Sequence, residues 1–313
     1  MEEGFQSSVC ISGGVLLVVF CVMALLLNGV LLIVLWKDPT KTSRSTTTVY
    51  IASLSVLHIS FGIIAGTAAS QSYIACAMGD EDSPHLEKEF SRICLTFFIR
   101  AENFLILAFA VERLGNFLFP DFYQRGSYKV KNALLCVGCI VFYSLCFSIF
   151  DMMAGKFWVR RLDVPLNSIV PLLATVVLTA LLWNWLRKLN IPQMENNGCD
   201  GVIRETKQIP LANAFVLTVL LFVVSVVVFF VLSLYEVHCS DCWKREWFFA
   251  ALRISIVINF LRAAINPFIY YACIPHLRKG FQTLFCGRRQ QEQIQLQPIS
   301  GNNTQRKVPV IYL

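Results

Sequence analysis

The sequence predicts an all-α membrane protein, a seven-transmembrane helix bundle followed by a short amphipathic eighth helix. The chain of 313 residues is 56% hydrophobic and only 15% charged, with a mean hydropathy of +0.60, whereas soluble proteins of this length carry more charge. Apolar runs long enough to cross a bilayer also recur along the whole chain. We place the seven spans at residues 11–36, 49–78, 90–119, 132–154, 167–189, 210–236 and 247–274.

Short segments flank the predicted bundle of residues 11–274. Residues 1–10 form an N-terminal segment that is too short to be a ligand-binding domain. Residues 275–286 predict a membrane-surface amphipathic helix, and residues 287–313 are polar, rich in Gln and Asn, and predicted to be disordered. The run 11–36 is also long enough for a signal peptide, but residues 1–10 carry acids and no lysine or arginine, unlike the start of a signal.

The distribution of lysine and arginine predicts the orientation of the chain. If the N-terminus is outside, the inner segments hold 17 of the 27 basic residues and the outer segments hold 7. This excess follows the positive-inside rule. We therefore expect a multi-pass protein of the plasma membrane, with its N-terminus outside and its C-terminus cytoplasmic. The net charge of +7 is then explained mostly by contacts with anionic lipid of the bilayer and with cytosolic partners. It does not indicate nucleic acid binding.

The seventh span ends in the motif Asn266-Pro267-Phe268-Ile269-Tyr270. A proline inside a helix frees a backbone carbonyl and kinks the helix, which a membrane bundle tolerates because neighbouring groups satisfy the backbone again. An asparagine next to this proline is placed to bridge the gap to another helix. The motif therefore predicts a polar bend at the end of the seventh span.

The third span ends in a second motif, the pair Glu112-Arg113 followed by Pro120 and Tyr123. A single arginine at the end of a span would extend its charge toward the membrane surface and carry no further meaning. Here the proline lies seven residues after the arginine and the tyrosine lies three residues later. This spacing favours a functional motif.

The two motifs together resemble those of rhodopsin-like (class A) G-protein-coupled receptors, and Ile51–Leu54 in the second span match that family's pattern directly. The second outer loop, near residues 155–166, contains no cysteine, and the third outer loop contains Cys239 and Cys242. This arrangement is loosely similar to that of the melanocortin, lysolipid and cannabinoid receptors. The resemblance implies that an extracellular ligand shifts an equilibrium between inactive and active bundles. It further implies that Arg113 and Tyr270 help to form an inner cleft for a heterotrimeric G protein, without any cofactor.

The chain departs from this family at two places. His58 stands where the family keeps a buried aspartate, and Ser225, Val226 and Val228 stand where the sixth span usually carries a Cys-Trp-x-Pro motif. A receptor-like protein that does not signal therefore remains an alternative. A seven-helix transporter or channel would show broken helices or an internal repeat, and an enzyme would need a nucleophile–base or metal constellation. The sequence shows neither pattern.

The inward face of the third span bears on the ligand. Leu95 lies eighteen residues before Arg113, or five full turns, so both share one face. Amine receptors keep an aspartate at this position, so leucine argues against a biogenic amine, and the lack of lysine in the seventh span excludes a retinal Schiff base. A peptide, a lipid or another small molecule remains. Arg100, Arg253 and the loop pair 160–161 suggest an anionic group.

A buried polar cluster is predicted inside the bundle, because ionisable residues in a span are costly and need partners. Glu102 lies three turns before Arg113, Arg262 lies one turn before Asn266, and His58 is on the inward face of the second span. The predicted cluster comprises Asn28, His58, Glu102, Arg262 and Asn266.

We hypothesise that Arg262 pairs with Glu102 in place of the sodium ion that the family holds at this level, and that His58 joins the pair. A histidine there would make activation sensitive to pH. The alternative is a structural salt bridge that only fixes the packing of the helices.

Most of the twelve cysteines lie within spans, where cysteine acts as a small hydrophobic residue. Cys239 and Cys242 lie in the third outer loop and are predicted to pair, because the exterior is oxidising. With His238 they resemble half of a zinc site whose other half is missing, so we predict no metal. Cys76 and Cys94 are candidates to close the acidic first outer loop.

Two features of the C-terminal region suggest further interactions. Cys286 precedes a pair of arginines, at the place where this family is often palmitoylated, although an unmodified cysteine is the alternative. The chain ends in the apolar segment 308–313, which has the character of a strand that adds to a PDZ domain.

Overall fold

The computed structural model describes residues 3–37, 45–79, 85–119, 130–153, 164–189, 199–239, 242 and 245–286. These residues form helices and no strand, and seven of the helices are long and apolar enough to cross a membrane. The predicted fold class, a multi-pass all-α membrane protein, is thereby confirmed. The helices are α1 (Glu3–Trp36), α2 (Thr46–Ala77), α3 (His85–Leu118), α4 (Val130–Met153), α5 (Val170–Leu189), α6 (Cys199–His238), α7 (Glu246–Cys273) and α8 (Pro275–Cys286).

α1 and α6 begin well before the spans that hydropathy predicts, by eight and eleven residues. α1 begins at Glu3, so most of residues 1–10 belongs to the first helix and does not form a separate N-terminal segment. The hydroxyl of Ser7 donates to the carbonyl of Ala77 at the end of α2 over 3.1 Å. This contact and the buried Cys10 hold the first turns of α1 against the bundle. α6 likewise begins at Cys199, upstream of the predicted span.

The helices form a closed ring. α1 packs on α2 and α7, α7 packs on α6, α6 on α5, α5 on α3, and α3 on α2. α4 lies outside this ring and contacts α2 and α3, while α8 packs on α7 and α1. α3 therefore packs mainly against α2, α4 and α5, and residues on different sides of it meet different neighbours.

Aromatic side chains fill the interior of the ring. The Phe109 ring lies 5.6 Å from the ring of Tyr50 and 4.9 Å from that of Phe215, which joins α3 to α2 and α6. The outer surface is apolar instead, as lipid requires. Large hydrophobic side chains exposed there include Leu26, Leu135, Phe142, Phe150, Leu173, Val224 and Ile254.

A π-helical turn interrupts α2 at Phe61–Ala65. Such turns carry one extra residue and often lie at functional sites. The Phe61 ring stacks on the ring of Phe260 in α7, with the centroids 4.1 Å apart. The turn therefore separates the half of α2 that holds His58 from the half that holds Tyr73.

A second π-helical stretch, Val164–Ile169, leads into α5. The side-chain amide of Asn103 on α3 donates to the carbonyls of Asn167 over 3.1 Å and Ser168 over 3.0 Å. The Tyr143 hydroxyl on α4 donates to the Asn167 side chain over 2.5 Å. These bonds satisfy two backbone carbonyl groups of the π-helical stretch and attach the stretch to α3 and α4.

The eighth helix follows α7 after a single residue outside the helical conformation, Ile274. It buries Leu277 and exposes Arg278 and Lys279, as expected of an amphipathic helix. Gly280 lies so close to α1 that a Cβ atom there would be 2.7 Å from the Val34 side chain. The missing side chain thus lets α8 pack against α1.

Candidate functional site

A buried ion pair joins α3 to α7 in the middle of the bundle. The Nη2 atom of Arg262 donates to Oε2 of Glu102 over 2.6 Å, and Nη1 of the same guanidinium donates to Oε1. The two residues are 1% and 3% exposed. The contact is therefore the bidentate arrangement in which an arginine and a carboxylate interact most strongly.

Two more helices, α2 and α6, and a second residue of α7 surround this pair. His58 of α2 has Nε2 2.9 Å from Oε1 of Glu102. Asn259 of α7 accepts from Nη2 of Arg262 over 3.4 Å, and the guanidinium lies over the Phe222 ring of α6 at 5.0 Å. α2, α3, α6 and α7 therefore meet at one buried ion pair.

The two asparagines of the predicted cluster lie apart from this ion pair. The side-chain amide of Asn28 donates to the carbonyls of Ala24 over 2.9 Å and Ala263 over 3.0 Å, which joins α1 to α7. Within the described part of the chain, the buried side-chain amide of Asn266 has no hydrogen-bond partner. Buried side-chain amides are nearly always hydrogen-bonded. An Asn266 amide without a partner among the described residues is therefore an exception, and it lies beside Pro267.

A second ion pair lies at the end of α3 that is nearest the start of α2. Arg113 donates from Nε to Oε2 of Glu112 and from Nη2 to Oε1, each over 2.6 Å. The Nη2 atom also donates to the Thr47 hydroxyl. Glu112 further accepts from the Thr46 hydroxyl over 2.5 Å and from the Asn116 amide over 2.6 Å. The first turn of α2 therefore closes over the pair.

Sequence reasoning identified Glu112 and Arg113 but missed the two threonines. The available signal was the run of three threonines that follows Ser45, whose hydroxyl accepts from the Thr48 backbone and caps α2. A cap and polar first turn predict where a helix starts, but they do not show which partner it meets.

The other residues of the two predicted motifs are only partly described. Pro267 lies inside α7, and the Tyr270 side chain is buried in the bundle. Pro120 and Tyr123 lie outside the described residues. The structure thus describes the acid–arginine pair and the α7 motif.

Arg100, which the sequence suggests as a ligand-facing residue, binds α4 in the structure. Its Nη1 atom donates to the Ser144 carbonyl over 3.2 Å and to the Ser148 hydroxyl over 2.8 Å. The guanidinium also lies 4.7 Å from the centre of the Phe147 ring. α4 supplies these acceptors because Arg100 lies on the side of α3 that faces α4. A small cavity of about 50 Å³ borders Arg100 between α3, the start of α5, and α6.

The two other candidate ligand-facing residues lie on α3 and α7. Leu95 is buried, as the inward face of α3 predicts. Arg253 is partly buried, and its guanidinium lies 4.7 Å from the Tyr73 ring centre and 5.4 Å from the Phe249 ring centre. The Tyr73 hydroxyl donates to the Arg253 carbonyl over 2.7 Å, which joins α2 to α7. The loop pair 160–161 lies outside the described residues.

The structure contains the predicted bond between Cys239 and Cys242, but the proposed pairing of Cys76 with Cys94 is wrong. Cys76 is bonded to Cys10, with Cα atoms 6.0 Å apart, and Cys94 is a free thiol. The helical extension of α1 places Cys10 beside the end of α2, within reach of Cys76. The missed signal was the single cysteine among the first ten residues.

The remaining predictions fall outside the described structure. Cys286 is the last residue of α8, and its side chain is not described. The tail 287–313, with its apolar end, also lies outside the described residues. Comparison with family models and with curated proteins finds no match to this chain.

Proposed function

We propose that this chain is a rhodopsin-like G-protein-coupled receptor. In this proposal it binds an extracellular ligand, which is a peptide, a lipid or another small molecule, and activates a heterotrimeric G protein. It lies in the plasma membrane with its N-terminus outside and its C-terminus in the cytosol. The seven-helix ring and the residues at the ends of α3 and α7 support this proposal.

The observation that carries the proposal is the buried pair Glu112–Arg113 beneath the first turn of α2. Arg113 donates to Glu112 and Thr47, so its charge is satisfied inside the bundle. This arrangement has the character of a closed state, because a partner at this end of the bundle would have to compete with those acceptors. Release of Arg113 would expose a cation and leave the Glu112 carboxylate to Thr46 and Asn116.

The end of α7 provides the second element of the proposed mechanism. Asn266 has a buried amide without a partner among the described residues, next to a proline that removes a backbone donor. An unsatisfied polar group is destabilising by about 1–3 kcal/mol. A rearrangement of α7 that satisfies this amide would therefore favour a second bundle conformation, to which a ligand shifts the population.

Basal G-protein activation in cells tests the proposal. We expect a basal signal from the wild-type chain that Arg113→Ala removes, with surface expression matched between the two. Arg187→Ala is a suitable control, because this arginine is exposed on α5 and its guanidinium packs on Trp183. Equal activity of the wild-type chain and Arg113→Ala, across all G-protein classes and with ligand libraries, would contradict the proposal.

A receptor-like protein that does not signal is the second candidate. Two observations favour it. The Glu102–Arg262 pair ties α3 to α7, and the span Leu211–Tyr235 of α6 contains no proline to bend it. A chain that reaches the cell surface but activates no G protein, even when Glu102→Gln breaks the tie, would support this candidate. A signal that Glu102→Gln increases would exclude it.

A further inference from the structure

Arg253 differs from the other arginines of the membrane spans in what its guanidinium contacts. Arg92 pairs with Asp151 over 3.0 Å, and Arg113 and Arg262 pair with glutamates. Arg100 donates to oxygen atoms of α4. Among the residues that the structure describes, Arg253 has no carboxylate in salt-bridge range. Its charge faces two aromatic rings instead.

A cation in a span is costly without a partner, and the two rings compensate only part of this cost. Cation–π contacts at partly exposed sites contribute about 0.5–1 kcal/mol, up to about 2 kcal/mol when water is excluded. Apart from a side-chain hydrogen bond with Tyr73, such contacts leave the N–H groups at the guanidinium edge available. Arg253 can therefore still form the bidentate bonds that arginine makes with carboxylate and phosphate.

The surroundings hold the guanidinium in place. Tyr73 packs against Gly13 and Gly14 of α1, and a Cβ atom at Gly13 would lie 2.6 Å from the Tyr73 ring. The Tyr73 hydroxyl is bonded to the Arg253 carbonyl. The Cys10–Cys76 disulfide fixes the ends of α1 and α2 one turn away. The rings that flank Arg253 are thus attached to three helices.

We propose that Arg253 binds an anionic group, a phosphate or a carboxylate, at the corner formed by α1, α2 and α7. This inference rests on the proposed function, for which it specifies the chemistry of the ligand. The anion binds edge-on to the guanidinium, while Tyr73 and Phe249 cover its faces. The source of the anion is either the head group of an amphiphile or a free anion, and the test below separates the two.

The test measures binding to the full-length chain in phosphatidylcholine nanodiscs, by the thermal midpoint followed through tryptophan fluorescence. Four probes are compared: dodecyl phosphate, dodecanol, dodecyltrimethylammonium and inorganic phosphate. We expect dodecyl phosphate to raise the midpoint of the wild-type chain, and dodecanol and the ammonium to leave it unchanged. If inorganic phosphate raises it equally, the anion is bound free; if it does not, the ligand is an amphiphile.

Three variants locate the binding. Arg253→Gln should need about ten- to hundredfold more dodecyl phosphate for the same shift, since a hydrogen bond to a charged group contributes that much to affinity. Arg253→Lys keeps the charge but lacks the planar guanidinium. It should need a concentration of dodecyl phosphate between those of the wild type and Arg253→Gln. Arg245→Gln removes a charge from the exposed start of α7 and should bind as the wild type does.

Three outcomes would overturn the inference: no shift with either phosphate, an equal shift with dodecanol, or an unchanged dose dependence in Arg253→Gln. An acidic residue outside the described part of the chain that already occupied the guanidinium would give the first of these. The readout needs no G protein. Binding without signalling would therefore contradict the proposed function and support the anion site. Signalling without binding would support the proposed function and contradict the anion site.

Discussion

Glu102 and Arg262 form a bidentate ion pair between α3 and α7 across 160 residues of sequence. Both side chains are almost fully buried. The pair therefore connects two spans through a buried contact. Removal of one partner leaves the other as an unpaired charge among apolar side chains.

Replacement of both partners should destabilise the protein less than the two single replacements added together. We expect Glu102→Gln and Arg262→Met each to lower the free energy of unfolding by about 3–5 kcal/mol, because each strands a buried charge. The double variant should lose clearly less than the sum. Thermal and denaturant unfolding of the purified protein measure the three values, with Asn266→Ala as a control that removes a buried polar group outside the pair. Additive losses would mean that the two side chains do not interact.

Loss of the Thr47 hydroxyl should raise basal signalling if the chain is a receptor. The Arg113 guanidinium donates to this hydroxyl, and a hydrogen bond to a charged group contributes about 1.5–3 kcal/mol. Thr47→Ala should therefore shift the equilibrium toward the released arginine by about ten- to hundredfold.

The measurement for this change is basal G-protein activation at matched surface expression. Thr67→Ala is the control, because Thr67 lies on the exposed side of the same helix and its hydroxyl bonds to the helix's own carbonyls. Equal basal activity of Thr47→Ala and Thr67→Ala would contradict a restraining role for Thr47.

A methyl group added at Gly13 should disturb the contact between α1 and α2, whereas one added at Gly29 should not. A Cβ atom at Gly13 would lie 2.6 Å from Tyr73, but nothing lies within 4 Å of the corresponding position at Gly29. We expect Gly13→Ala to destabilise by about 1–3 kcal/mol through overpacking. Gly29→Ala should be neutral or stabilise by up to about 1 kcal/mol through helix propensity. The thermal midpoints of both variants check this, and the reverse order would refute the contact.

Loss of the Cys10–Cys76 bond should lower stability and weaken the hold on the first turns of α1. Disulfides typically contribute about 2–4 kcal/mol, and this one closes a loop between residues 66 apart in sequence. Cys10→Ser should lower the thermal midpoint and free the Cys76 thiol for maleimide labelling. Cys146→Ser, which removes an exposed free thiol on α4, should change neither the midpoint nor the labelling of Cys76. An unlabelled Cys76 in Cys10→Ser would contradict the pairing.

The sequence was a good guide to residues that share a face of one helix. Hydropathy located the seven spans because each must present apolar side chains to lipid over a length set by the bilayer. The period of 3.6 residues placed Glu102 on the same face of α3 as Arg113, and it placed Arg262 on the same face of α7 as Asn266. The requirement that a buried charge be paired then predicted that Glu102 and Arg262 meet. The contact between Glu102 and Arg262 follows from these two rules.

The sequence was a poor guide to which neighbour a given face meets. α3 packs against α2, α4 and α5 and also reaches α6 and α7 through side chains, and the helical period does not tell which of these a residue faces. The contact of Arg100 with α4 was therefore not predicted. Cys10 was assigned to a segment outside the first helix, because hydropathy does not detect a helix end that is held by contacts such as that of Ser7 with Ala77.

The π-helical turn Phe61–Ala65 lets α2 contain one residue more than a regular helix with the same faces. A regular helix turns by about 100° per residue, and the widened turn takes up this rotation. Removal of one exposed residue there, such as Ile63 or Ile64, would therefore restore a regular helix and leave Tyr73 beside Arg253. Removal of one residue from the regular part between Gly66 and Tyr73 would instead rotate Tyr73 by about 100° away from Arg253. The turn is thus the part of α2 at which a deletion should be tolerated.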